Sequence, residues 1–297
     1  MTKYSLAASC ALTLATFGIA SSSFAGTDVS SGKETKTIKE ACKESCITGD
    51  LGVNFVTEYI SRGLVLENQG VIAEPYLDLY FKLYSGDGFI NKVSFNLGLW
   101  SSIHSHKQGP PGSTTEAWFE FDYTGGVAVT FAKNFTFTAS YFEFDSPADA
   151  FSTARSINLN LTYDDSALLG AFALHPHVTA LRELNAPGFA GLGAEGWYFE
   201  AGLAPGFSAG PVNITFPLTV GFADDKFYAG DNFGYFSAGV TAAIPLKFIP
   251  ECYGSWTLTA GYTYTYLGDN LQAFSAANQG DGDQNQHTFS GGIGLTF

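Results

Sequence analysis

From about residue 50 to the C-terminus, apolar and polar side chains alternate in short runs. Across 71–84, Ala73, Pro75, Leu77, Leu79, Phe81 and Leu83 share one face, while Glu74, Tyr76, Asp78, Tyr80 and Lys82 share the other. Side chains of a strand point alternately to its two sides, so this spacing predicts a sheet whose faces meet different surroundings. Across 91–103, Val93, Phe95, Leu97 and Leu99 oppose Lys92, Ser94 and Asn96. Across 254–267, Trp256, Leu258, Ala260, Tyr262, Tyr264 and Tyr266 oppose Thr257, Thr259, Gly261, Thr263 and Thr265. The last run, His287 to Phe297, alternates in the same way and stops on an aromatic.

Twelve such runs are present, at 50–66, 71–84, 91–103, 115–130, 134–145, 153–164, 167–182, 193–204, 211–223, 234–246, 254–267 and 286–297. An even number suits an antiparallel barrel with both ends of the chain on one side. The connections divide accordingly. Long ones (104–114, 183–192, 224–233, 268–285) fall mostly on one side, and tight ones such as Ala132-Lys133 and Asp165-Ser166 mostly on the other. A sheet in lipid must close, because open edges are not tolerated there. The expected fold class is therefore all-β, an antiparallel transmembrane β-barrel of about twelve strands. Its greasy faces would look outward and its polar faces inward. Pro75, Pro176, Pro217 and Pro245 each remove a ladder donor, so bulges or shifted boundaries are expected there.

Residues 1–25 read as a secretory signal peptide: Lys3, an apolar Leu6–Ala20 stretch, and Ser23-Phe24-Ala25 as the small-x-small cleavage site. Its apolar run is too short to span a bilayer as a helix. Residues 26–49 mix charges with good helix formers and predict a periplasmic arm, partly helical. Cys42, Cys46 and Cys252 remain after cleavage; a disulfide suits the periplasm, but the pairing stays open. The chain is 14% charged and carries 27 Phe, 15 Tyr and 34 Gly, a balance suited to barrel strands rather than to a soluble enzyme. Removing 1–25 takes one Lys and no acid, moving the net charge from -14 to -15, which excludes nucleic acid as a partner.

Strand parity collects charge on one wall of the lumen. Glu58, Arg62, Glu74, Asp78, Lys82, Glu116, Glu120 and Asp122 are the expected pore-lining residues, with Lys92 beside them. Tyr76, Tyr80, Trp118, Phe142 and Phe144 are expected to point inward as well, whereas the last four strands offer Ser, Thr, Gly, Asn and Ala. The acids outnumber the bases, so an open bore would prefer cations or neutral solutes to anions. The alternative is a mutually paired polar core that conducts nothing.

The string Glu58-Tyr59-Ile60-Ser61-Arg62-Gly63 resembles the acid-Tyr-x-x-Arg-Gly signature near the first strand of the TorF-like porin family of Gram-negative outer-membrane β-barrels. Ser61 stands where that family usually carries an aromatic. The terminal Phe297 strand likewise resembles the signal by which such barrels engage the barrel assembly machinery. The resemblance implies a cell outer-membrane location amid outer-membrane lipid and lipopolysaccharide, a barrel fold and a transport role. It brings no catalytic residues and no cofactor. Homo-oligomerisation stays open.

Other patterns carry less. His104/His106 and His175/His177 each put both imidazoles on one face, a spacing able to chelate a transition metal, yet no third ligand is placed and ordinary polar lining is the reading. Asp281, Asp283 and Asn285 begin like a calcium loop, but Gln286 replaces its glycine and Gly292 its bidentate acid. Some barrels hydrolyse lipid, but no G-x-S-x-G occurs, and His287 is the candidate base at the rim; a non-enzyme is expected.

Overall fold

The computed structural model describes residues 45–107, 109, 111–113, 115–185 and 195–297. The signal peptide, nearly all of the arm, Cys42 and most of 183–192 lie outside them. The alternating runs form β1 (Ile47–Val56), β4 (Ile72–Ser85), β5 (Ile90–His104), β6 (Trp118–Phe131), β7 (Phe135–Asp145), β8 (Ala154–Tyr163) and β9 (His177–Asn185). They continue as β10 (Trp197–Leu203), β11 (Gly206–Ala209), β12 (Val212–Thr215), β13 (Leu218–Ala223), β14 (Phe233–Pro245), β15 (Ser255–Leu267) and β16 (Asn285–Thr296). Every pairing is antiparallel, and the ring β1-β4-β5-β6-β7-β8-β9-β10-β13-β14-β15-β16 closes on β1. Because β11 continues β10 and β12 continues β13, the ring is a closed barrel of twelve staves.

Closure depends on the last residue. Leu51 pairs with Leu295 and Val53 with Ile293, and Gly49 and Phe297 exchange both backbone hydrogen bonds at 2.9 Å. β1 therefore begins at Ile47 and takes up three residues that the charge pattern assigned to the arm.

The prolines sit where a ladder tolerates them. Pro176 precedes β9, Pro217 separates β12 from β13, and Pro245 ends β14. The β4–β5 ladder passes from Ala73–Ile103 to Tyr76–Trp100 without pairing Glu74 or Pro75.

Exposure confirms the two faces. Leu97, Phe137, Ile157 and Leu258 are 41%, 39%, 41% and 45% exposed on the outside, whereas Asn96, Thr138, Asn158 and Thr265 are 3–4% exposed inside. The wall of small residues receives the bulky one: a Cβ on Gly52 or Gly294 would lie 2.6–2.8 Å from the Tyr76 hydroxyl.

Three predicted elements differ. The first barrel strand stops at Val56 rather than running to residue 66. Residues 57–71 turn inward instead, as the hairpin β2 (Tyr59–Ser61) and β3 (Leu64–Glu67), every strand residue of which is buried. Residues 167–172, expected in a strand, form helical turns, the first of them α1 (Ser166–Leu169). The connection after β15 holds α2 (Asp269–Gln279), with Gly268 extended at its start and Gly280 left-handed at its end. Leu271, Phe274 and Ser275, at i, i+3 and i+4, form its buried stripe.

Candidate functional site

On the side of the barrel opposite the termini, the chain folds inward as the β2–β3 hairpin, and α2 packs against it. Arg62 and Gly63 form the two-residue tip of the β2–β3 hairpin, both left-handed at φ 51° and 80°, the combination demanded by the tight turn that matches strand twist. Gly63 has a second reason to be glycine: a Cβ there would lie 2.5 Å from Leu271 and 2.8 Å from Tyr235. The resemblance string is thus a turn inside the lumen rather than a stretch of barrel strand. Its physical cause is the loss of alternation, since Tyr59, Ile60, Leu64, Val65 and Leu66 need an apolar environment on both faces.

An apolar cluster receives them, built from Phe142 and Phe144 on β7, Tyr198 on β10, Tyr235 on β14, and Leu271 and Phe274 on α2. Polar bonds fix the hairpin in place. Tyr228 donates to the Arg62 carbonyl at 2.7 Å, and Gln279 donates to the Leu66 carbonyl at 2.7 Å. Tyr59 donates to Glu120 Oε2 at 2.8 Å, and Asn68 to Asp281 Oδ2 at 3.4 Å.

Beneath the hairpin lies a charged layer. Glu74 on β4 and Glu120 and Asp122 on β6 all face the interior and are 1–5% exposed. The Arg62 guanidinium sits over the Phe144 ring at 5.0 Å and is close enough for its charge to act on Glu120, Asp122 and Glu183. Across the lumen, Glu200 Oε2 accepts from Tyr198 at 2.6 Å and Tyr235 at 3.0 Å, and its other oxygen lies 3.5 Å from His177 Nε2. Nearer the termini, Asp78 on β4 pairs in register with Asp50, whose carboxylate accepts from Thr296. Lys82 and Lys92 follow on β4 and β5.

The expected lining residues therefore separate. Glu74, Asp78, Lys82, Glu120 and Asp122 lie on inward strand positions, and Arg62 reaches the same space from the hairpin. Glu58 sits at the hairpin base and accepts from Thr288 at 2.9 Å; burial raises its carboxyl above the ordinary value. Glu116 does not join them. It precedes β6, pairs with Lys107 at 3.0 Å and accepts from the Gly112 amide, and the Lys107 bond holds its carboxyl below the ordinary value. A bulge between Ser102 and Ile103 resets parity at this point. For the same reason Trp118, expected inward, is outside against Phe121, and Phe119 takes the inner position, stacked on His104 at 4.7 Å. Asp50, Glu183 and Glu200 were absent from the expected lining, although the same period-two count points all three inward.

The weaker candidates also have definite places. His287 Nδ1 meets the Tyr262 hydroxyl at 2.8 Å on the outer face. Asp281 and Asp283 accept from the backbone of Asp283 and Asn285, closing local turns. Asp164, Asp165 and His175 gather beside α1, but Asp165 is already filled by the amides of Leu174 and His175 at 3.0 Å. Cys46 and Cys252 are free and exposed. A groove of about 860 Å³ is bounded by Phe121, Tyr123, Asp145 and Phe151, beside the connection that follows β7.

No family model matches the chain, so the TorF-like resemblance rests on its hexapeptide and terminal strand alone. No curated protein matches it either. Among solved structures, an outer-membrane channel from Pseudomonas putida F1 is similar at TM-score 0.49 and 11% identity, over 89% of this chain and 100% of that one. Outer membrane phospholipase A from Escherichia coli is similar at TM-score 0.46 and 11% identity, over 84% and 92%. The outer-membrane channel DcaP of Acinetobacter baumannii gives 0.40 and 9%, over 84% and 96%. No activity passes to this chain from them.

Proposed function

We propose that the chain is an outer-membrane channel, porin-like, passing small hydrophilic solutes passively with a preference for cations. In this reading the 57–71 hairpin forms its constriction. One observation carries it: a closed barrel with an apolar exterior encloses a polar interior in which Asp50, Glu74, Asp78, Glu120, Asp122, Glu183 and Glu200 face Lys82, Lys92 and Arg62. Bilayers admit closed barrels because every strand edge is paired, and an acid-lined bore concentrates cations. The surroundings would be outer-membrane lipid and lipopolysaccharide, with β16 and Phe297 presented to the barrel assembly machinery during insertion.

A second reading is favoured by the apolar cluster packed across one end: a structural barrel that conducts nothing. Planar-bilayer recording of the full chain, and of a variant in which 57–71 is replaced by a short turn, separates the two. The channel reading expects small cation-selective steps that grow several-fold in the shortened variant. It also expects weaker cation preference in the reversal potential when Asp78, Glu120 and Asp122 become amides. Silence in both proteins supports the structural reading.

A further inference from the structure

The connection between β8 and β9 is apolar where a connection in water would be polar. From Ala167 to Leu174 the chain reads Ala-Leu-Leu-Gly-Ala-Phe-Ala-Leu, with no side chain that can ionise or hydrogen-bond. It folds as the end of α1 followed by a 3₁₀ turn over Gly170–Phe172. Leu168 and Phe172 are 74% and 82% exposed, and Leu169 and Leu174 are exposed as well. The polar groups gather at the root of the turn. Asp165, buried, accepts from the amides of Leu174 and His175 at 3.0 Å, and Asp164 Oδ1 lies 3.7 Å from His175 Nδ1. These contacts fix both ends of the turn and leave its apolar middle standing out from the fold.

The place of this turn in the wall decides what covers it. β10 pairs with β9 as far as Gly202 and His177, and the Ala204 amide then donates to the Leu174 carbonyl at 2.7 Å. Beyond that point β11 runs on with β12 as its one strand partner among the described residues, and the 3₁₀ turn packs beside it. The turn therefore stands where β9 would continue, at the barrel end that holds the termini. Phe207 and Phe216, their rings 6.1 Å apart, add two exposed aromatics on the neighbouring β11 and after β12. On the other side the surface runs directly into the outer apolar face through Val178, exposed on β9. No Lys or Arg occurs between Arg155 and Arg182.

We propose that residues 166–174 are an interfacial anchor, seated among the acyl chains of the bilayer leaflet on the side of the termini. The surface continues one that already meets lipid, and a contiguous exposed apolar run is stable only when something apolar covers it. An element of this kind holds by the apolar area it buries, and basic side chains add attraction where lipids are anionic. With no basic residue in reach along the sequence, the anchor holds by apolar burial alone. The inference needs the barrel to stand in a bilayer; it does not need the barrel to conduct.

The test uses the full chain in phosphatidylethanolamine and phosphatidylcholine vesicles, with every native cysteine replaced by serine and one nitroxide attached to an introduced cysteine. Phe172→Cys and Leu168→Cys report on the turn, both at exposed positions that leave the packing intact. Val178→Cys is the reference for the outer face, and Asp149→Cys, in the connection after β7, the reference for water. At 172 and 168, collisions with oxygen should exceed those with a water-soluble nickel chelate several-fold, as at 178 and unlike 149. The ratio should hold when phosphatidylglycerol is added. Chelate contact at 172 and 168 equal to that at 149 overturns the anchor, and so does lipid contact that arises only with phosphatidylglycerol. Protection from both reagents, with spin–spin broadening that vanishes on dilution by unlabelled protein, also overturns it and assigns the surface to a second copy of the chain.

Discussion

The Tyr59 hydroxyl donates to Glu120 Oε2 across 2.8 Å, a bond between the inward hairpin and the barrel wall buried from solvent at both ends. Around it, Trp100 lies 5.3 Å and Phe119 6.1 Å from the Tyr59 ring, so the hydroxyl has nowhere else to turn. The bond makes hairpin and wall one mechanical unit. Tyr59→Phe keeps the ring and strands the carboxylate oxygen, which should cost about 1–3 kcal/mol. Urea unfolding from lipid vesicles reads that loss, and amide exchange across 59–67 should quicken. An unshifted midpoint with unchanged exchange would remove this bond as the anchor.

The tip of the hairpin is constrained more tightly still. Gly63→Ala adds a methyl to a left-handed residue and drives it against Leu271 and Tyr235. Overpacking of this kind costs about 1–3 kcal/mol, and the tip must move to relieve it. Arg62, 4% exposed, is then expected to become a trypsin site in folded protein, where the parent resists cleavage. Equal resistance in both proteins would show that the tip has room the packing denies.

Lysine placed on the two faces should have unequal effects. Leu97, midway along β5, is 41% exposed on the outside, whereas Thr257 on β15 points inward. Leu97→Lys should destabilise the barrel in vesicles by about 2–4 kcal/mol, the usual cost of a cation at the bilayer midplane. Thr257→Lys should cost far less. Equal penalties would mean that the outer face does not meet acyl chains.

The strands were legible because their period-two pattern is set by a lipid-like exterior and a polar interior, and both act on every residue of a stave. The hairpin was legible only in outline. Tyr59 to Glu67 breaks alternation, but nothing local says that an apolar run will find its partners in Phe144, Tyr235 and Leu271, which the barrel brings together only after closing. Trp118 and Phe119 exchanged faces because of a bulge whose insertion leaves no mark on composition. The Leu271, Phe274, Ser275 spacing of α2 was readable, yet it sits in a connection rich in Gly, Asp and Asn that reads as loop.

The turn between β8 and β9 makes stability depend on pH in a defined direction. Burial by itself would raise the Asp165 carboxyl, but amide bonds from Leu174 and His175 outweigh it and hold the group below its ordinary 3.8. A carboxyl depressed in the folded state binds its proton more weakly there than in the unfolded chain. Its contribution is therefore complete above about pH 4 and disappears as the pH falls through the folded value. Unfolding midpoints of the parent should fall as the pH drops from about 5 toward 3. Asp165→Asn removes the charge that those amides face, so the variant should start lower at neutral pH and lose less on acidification. Parallel curves for the two proteins would assign the acid sensitivity to other carboxylates. The direction follows from the amides: they point at the carboxylate whatever the pH, and only its ionised form rewards them fully.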